Sequence, residues 1–197
     1  MVPVNHRHVV ELCDVTRDYT QKHLHTAAVL LWRSRSCVSR LIRAGGRSDY
    51  SHAALALWER GVWCVGEVRE WYGGRVVTLE SQVRRYPGQI DVYRARPQSG
   101  LRTNLAAAAM LRLAGADYGY AAVLRASLAH LPILRLFARV DFDDSSDDGR
   151  PPYCSAAVNA AMRAGGLDLV SNLADRFTEP GDIARSPLLE YSCTLVP

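Results

Sequence analysis

Apolar positions along the chain fall into two rhythms. At 27–34, 52–58 and 62–69 they run continuously or alternate with polar ones, which predicts strands. Residues 76–79 and 89–94 read as later strands, separated by the turn signal Tyr86-Pro-Gly88. A helical spacing places Val38, Leu41 and Ile42 on one side of a short helix at 36–44. The alanine- and leucine-rich stretch 101–113 predicts a helix ending near Gly115, and 118–124 and 128–140 extend the helical half. A further short helix follows Cys154 and closes at Gly165-Gly166. Strands therefore gather early and helices late, which predicts an α+β fold with an antiparallel sheet packed against helices. Residues 1–20 show no clear periodicity. The chain is divided into an N-terminal extension, 1–26, and a single domain, 27–197, with no internal repeat.

Trp58-Glu-Arg-Gly-Val-Trp63 predicts a hairpin whose two-residue loop is Arg60-Gly61. Glu59 then pairs with Val62, Ala54 faces Glu67, and Arg69 faces His52. Because side chains alternate, His52, Ala54, Glu67 and Arg69 share one face. Glu67 becomes the diagonal neighbour of His52. A slip of one residue would exchange Glu67 for Glu70. The plain alternative for Glu67 is an exposed strand carboxylate paired with an arginine.

Cys154 opens the helix behind Arg150-Pro-Pro-Tyr153. First-turn amides and the helix dipole favour its thiolate, which suits nucleophilic chemistry. A nucleophilic thiol requires a base, and His52, at the mouth of a strand, is held firmly yet reachable. The alternative for a lone histidine is a structural residue.

The order His, acid, Cys, with the cysteine on a late helix, resembles the circularly permuted papain-like hydrolases of the NlpC/P60 superfamily, YiiX-like branch. Ala27-Ala-Val-Leu-Leu-Trp-Arg-Ser-Arg-Ser-Cys-Val-Ser-Arg-Leu-Ile-Arg43 resembles the family's opening strand and first helix. Asp49-Tyr-Ser-His-Ala-Ala-Leu-Ala-Leu57 resembles its histidine motif. Tyr153-Cys-Ser-Ala-Ala-Val158 resembles its nucleophile helix, with Ala156 where many members carry an acid. Phe177-Thr-Glu-Pro-Gly-Asp-Ile-Ala-Arg-Ser186 resembles its closing segment. The resemblance implies a permuted papain-like fold and a cysteine peptidase or amidase with Cys154 as nucleophile, His52 as base and Glu67 as orienting acid. It implies a peptide, cell-wall or acyl substrate and an acyl-enzyme, with no cofactor or metal. Lipid-type acyl hydrolysis, thiol acyl transfer and a noncatalytic binding module remain alternatives on the same fold.

The chain has 197 residues, 48% of them hydrophobic, and a net charge of +4, which suits a soluble domain with its own core. All its basic side chains but Lys22 are arginine. Nucleotide bias accounts for that first, an anionic partner second. No nucleic-acid motif accompanies it, so no nucleic-acid partner is expected. No apolar run predicts a membrane span and no leader is visible, so the expected setting is cytoplasmic or phage-associated. Five cysteines without paired spacing predict no disulfide framework, and Cys13, Cys37, Cys64 and Cys193 read as buried or incidental thiols. His6, His8, His23 and His25 form two pairs without a third ligand and read as surface histidines, and His130 lies in an apolar stretch. The acidic stretch 141–149 lacks the last ligand of a calcium loop and reads as a solvated loop before the nucleophile. Tyr118 and Tyr120 are candidates for the cleft wall or the core.

Overall fold

The continuous apolar runs belong to strands covered on both faces. The computed structural model describes residues 9–11, 24–33, 48–69, 71–115 and 153–197. Its strands are β1 (Val9–Glu11), β2 (Val29–Trp32), β3 (His52–Glu59), β4 (Val62–Arg69), β5 (Gly73–Thr78), β6 (Ile90–Ala95) and β7 (Leu189–Val196). Its helices are α1 (Leu79–Arg85), α2 (Thr103–Arg112), α3 (Cys154–Ala164) and α4 (Pro180–Ala184), with single 3-10 turns at Pro97–Ser99 and Asp175–Phe177. The strands form one sheet in the order β1-β7-β6-β2-β3-β4-β5. Six are antiparallel to their neighbours, and β1 joins the edge parallel to β7. The fold class is α+β. Helices expected at 36–44, 118–124 and 128–140 lie outside the described residues.

β2 sits in the middle of the sheet, and all four of its residues are buried. That is why Val29-Leu-Leu-Trp32 shows no polar alternation: neither face meets water. Val29, Leu31, Ala53, Leu55, Leu57 and Val68 pack under α2 and α3, against Ala106, Met110, Ala157, Ala161 and Met162. On the other face, Leu30, Trp32, Ala54, Ala56, Val65 and Ile90 pack against Leu79 and Val83 of α1. The hairpin is the expected one. Glu59 pairs with Val62, and Arg60 and Gly61 take φ values of 50° and 83°. Positive φ at both loop residues matches the right-handed twist of the strands they join.

Two elements differ from expectation. The strand expected at 76–79 runs instead over Gly73–Thr78, and Leu79 opens α1. Leu79, Gln82 and Val83 are buried at helical spacing, so the period changes at Leu79. The sheet also takes its last strand from the C-terminus, where no strand was expected. β7 carries a bulge: Val92 pairs with Cys193, and Tyr93 with Tyr191. The extra residue, Ser192, turns the odd positions from one face to the other. Leu189 consequently enters the α2–α3 core, whereas Cys193 and Leu195 enter the α1 core.

Gly66 shows how closely α2 lies on β4. A Cβ there would stand 2.6 Å from Met110 Cγ and 2.7 Å from Leu57 Cδ1. Gly66→Ala is expected to lower stability by about 1–3 kcal/mol through overpacking. Urea unfolding followed by circular dichroism checks this, and an unchanged midpoint would contradict it.

Candidate active site

His52 is the first residue of β3, and its approach is fixed from both sides. Two residues earlier, Tyr50 donates its hydroxyl to Asp91 Oδ2 at 2.7 Å. Buried Asp91 also accepts from Arg33 Nη2 at 2.9 Å and from Thr194 Oγ1 at 2.5 Å. Burial, with Tyr93 and Asp91 adding to it, pushes the Tyr50 phenol well above its ordinary value and keeps it protonated. Trp32, paired with His52 across β2 and β3, sets its ring edge-on to the imidazole at 5.1 Å.

The imidazole Nε2 donates to Glu67 Oε2 at 2.6 Å. Glu67 stands at the end of β4 required by the hairpin register, with its side chain shielded from water. The plain alternative for Glu67 is therefore half right. The carboxylate does pair with arginine, but it is buried, and it holds the histidine as well. Arg75, directly opposite on β5, sends both Nε and Nη2 to Glu67 Oε1, at 2.8 and 2.6 Å. Arg69 Nη1 lies 3.6 Å from Oε2 and is itself held by Gln82 Oε1 and the Tyr86 hydroxyl.

Cys154 arrives from the other side of the sheet. Its helix packs with Ala53, Leu55 and Leu57, the face opposite Glu67. Tyr153 caps the helix in extended conformation, at φ −106° and ψ 176°, so the chain turns sharply into the cysteine. The start of the helix is tied down by hydroxyls on either side of the thiol. Tyr153 OH and Ser155 Oγ both donate to the Thr178 carbonyl, at 2.8 and 2.7 Å. Further along, Asn159 Nδ2 donates to Asp175 Oδ1 at 2.6 Å and its Oδ1 accepts from the Leu169 amide at 3.1 Å. Arg163 pairs with the same Asp175.

Cys154 lies beside His52, and the His52 ring and the Ala53 and Ser155 amides are the groups that act on its sulfur. With Nε2 held by Glu67, Nδ1 is the nitrogen left for the cysteine. Burial alone would raise the Cys154 pKa, but the bond and charge of His52, with those two amides, bring it below the ordinary thiol value. Burial likewise lowers His52, but its bonds to Cys154 and Glu67 outweigh that and lift it to about 9. Glu67 feels burial as an upward push, and His52, Arg69 and Arg75 overcome it to hold the carboxyl at about 2. The three groups thus favour thiolate, imidazolium and carboxylate together.

The remaining candidates do not join this cluster. Cys64 and Cys193 are free thiols, and burial raises both. Cys64 faces the side opposite Glu67, as the hairpin register requires. His25 is exposed, with its pKa lowered by desolvation and by Arg94. Glu70, His6, His8, His23, His130, Cys13, Cys37, Tyr118, Tyr120 and the acidic stretch 141–149 lie outside the described residues. Arg75 escaped the sequence reading because the strand was begun three residues too late, at 76 instead of Gly73. A charge placed to face Glu67 across the next strand pair is the signal that would have found it.

No protein-family model matches the chain, and no curated protein matches it. Among solved structures it is similar to YiiX of Escherichia coli O157:H7, described as a DUF1105 metalloprotein. The TM-score is 0.61 at 18% identity, over 89% of this chain and 99% of YiiX. The likeness establishes a YiiX-like α+β fold. Among the described residues, no group of three His, Cys, Asp or Glu side chains is placed to hold a metal ion. Glu67, the carboxylate bonded to the imidazole, has its oxygens taken by His52 and Arg75. The described residues therefore do not fit a metal centre. Among them, no helix is long and apolar enough to cross a membrane.

The lowered Glu67 value has a consequence for stability. The folded value of about 2 lies below the ordinary 4.5, so the contribution is present above about pH 4.5 and is lost as pH falls toward 2. Glu67→Gln is expected to cost about 1–3 kcal/mol at pH 7, with the difference from wild type closing toward pH 3. Chemical denaturation at a series of pH values measures this, and a difference independent of pH would contradict it.

Proposed function

We propose that the chain is a cysteine hydrolase of the permuted papain-like NlpC/P60 type, cleaving an amide bond through an acyl-enzyme. The observation that carries this reading is the placing of Cys154 beside His52, whose Nε2 is held by Glu67 Oε2 at 2.6 Å. A buried thiol with no functional role would have its pKa raised by burial, as Cys193 does. Cys154 moves the other way.

In this mechanism His52 takes the Cys154 proton and Glu67 stabilises the resulting imidazolium. The thiolate attacks the substrate carbonyl, and the carbonyl π electrons move to oxygen. The Cys154 amide, at the start of α3, donates to that oxyanion. Collapse forms the thioester as His52 gives its proton to the departing amine. A water molecule, deprotonated by His52, then attacks the thioester. The carboxylic acid leaves and the thiol is restored.

Cys154→Ala is expected to abolish hydrolysis of peptide or cell-wall amides while leaving the fold intact, and retained turnover would overturn the proposal. Independently of substrate, iodoacetamide should alkylate Cys154 well below pH ~8.5, the region of a free thiol. His52→Ala should abolish that early reactivity. Turnover should decline above pH 9, where the imidazolium, at about 9, is lost.

A second reading, hydrolysis of a lipid-type acyl bond, is favoured by the turn between β4 and β5. Trp71 and Tyr72 are 85% and 60% exposed there, and Trp71 holds a φ of 68°, a conformation costly for a bulky side chain. Arg69 pairs with Gly73, so this turn stands at the sheet end where His52 begins β3. Exposed aromatic pairs beside a site suit an amphipathic substrate. Trp71→Ala combined with Tyr72→Ala should lower turnover on micellar acyl esters about tenfold and leave soluble short-chain esters unaffected. Equal loss on both substrates would remove this reading.

A further inference from the structure

Arg75 addresses Glu67 in an unusual way. A planar guanidinium commonly meets a carboxylate with one donor to each oxygen. Here Nε and Nη2 both go to Oε1, at 2.8 and 2.6 Å, leaving Oε2 to hydrogen-bond His52, with Arg69 Nη1 3.6 Å from it. Arg75 is itself fixed at two points. Its position on β5 faces Glu67 in register, and its guanidinium lies 4.3 Å from the centre of the Tyr72 ring. Arg69, the second cation, is drawn off elsewhere, to Gln82 and Tyr86 of the α1 segment, and lies 3.6 Å from the carboxylate.

We infer that Arg75 is a positioning residue for the thiol–imidazole pair: its two donors on Oε1 lock the Glu67 carboxylate so that Oε2 stays aimed at His52 Nε2. This deepens the function proposed above and rests on it, since it matters only if His52 activates Cys154. Among the described residues, the groups facing Glu67 are His52 from β3, Arg69 from its own strand and Arg75 from β5. Gln82 and Tyr86, from the α1 side, act through Arg69, and Cys154 from α3 acts through His52. Arg75 could exert two opposite effects. As a charge alone, it would compete with the imidazolium for Glu67, and removing it would strengthen the His52–Glu67 pair. As a lock, it holds the geometry that lets Glu67 stabilise the imidazolium at all. The double donation to one oxygen, with the other left for His52, favours the lock. Relieved of Arg75, the buried Oε1 would be left without its donors, and rotation of the carboxylate to bring Oε1 toward Arg69 would take Oε2 off His52.

The test is the pH dependence of Cys154 alkylation by iodoacetamide, read by peptide mass spectrometry, in wild type, Arg75→Gln, Arg75→Lys and His52→Ala. Glutamine removes the charge and the double donor. Lysine keeps the charge but brings a single point of contact. Arg75→Gln is expected to move thiolate formation upward by about one pH unit, and Arg75→Lys part of that way. An Arg75→Gln profile lying on wild type, or moved to lower pH, would overturn the inference. An Arg75→Lys profile identical to wild type would overturn the role of the double donor, and this variant carries the test if the glutamine form does not fold. If wild-type alkylation follows an ordinary thiol and ignores His52, the hydrolase reading itself fails. That result is distinct from an activated wild type that Arg75 does not influence.

Discussion

Glu67 holds a negative charge on a side chain closed off from water, and a buried carboxylate without partners would instead take up a proton or unfold its surroundings. Three cationic or ionisable groups compensate it: His52 from β3, Arg69 from its own strand and Arg75 from β5. His52 and Arg75 can reach the carboxylate only because the β3–β4 hairpin and the β4–β5 pairing hold a single register. A one-residue slip in either ladder would carry its partners to the opposite face. The charge therefore acts as a check on strand pairing as well as a support for the imidazole, and the two demands are met by the same contacts. The α1 face contributes through Arg69, whose bonds to Gln82 and Tyr86 tie that helix to the same cluster.

On the other face, the constraint is apolar packing combined with a few directed hydroxyls. Gly66 lets α2 settle on β4, and Gly165 brings the end of α3 against Leu101 and Ala106, where a Cβ would stand 2.8 and 3.0 Å from them. These contacts set the distance of α3 from the sheet. Its axial position depends on polar groups, since alanines slide easily. Tyr153 and Ser155 grip one carbonyl, that of Thr178, and Asn159 and Arg163 grip Asp175. Two helical turns of α3 are thereby referenced to the 175–179 segment, and the thiol at the helix start inherits that precision.

Much of this was legible in the chain. Arg60-Gly61 could be read as a two-residue loop because positive φ is cheap for glycine, and the loop then dictated that His52 and Glu67 share a face. Cys154 was legible from the prolines before it and the glycines after its helix. Other features depended on contacts that no local pattern carries. Leu189, Tyr191, Cys193 and Leu195 alternate as a strand should, but their division between two cores requires the bulge at Ser192, which only the pairing with β6 reveals. Thr178, Asp175 and Asn159 look like ordinary polar residues until the fold brings 175–179 beneath α3. Arg75 became visible only when β5 was found to begin at Gly73, because its meaning lies in what it faces.

His52 and Cys154 belong to opposite faces of the sheet and meet only because β3 begins at His52. The β3–β4 ladder runs from Glu59–Val62 to Leu55–Gly66, whereas β4 continues to pair with β5 as far as Arg69 and Gly73. Ala53 lies beyond the last β3–β4 pair, and its amide is one of the groups that lower the Cys154 pKa. Had the ladder continued, that amide would be committed to a β4 carbonyl and its pull on the thiolate would be weakened. The end of a strand is thus where a side chain from the α1 face and a thiol from the α3 face come together. The early end of one ladder leaves a backbone N–H to favour the thiolate.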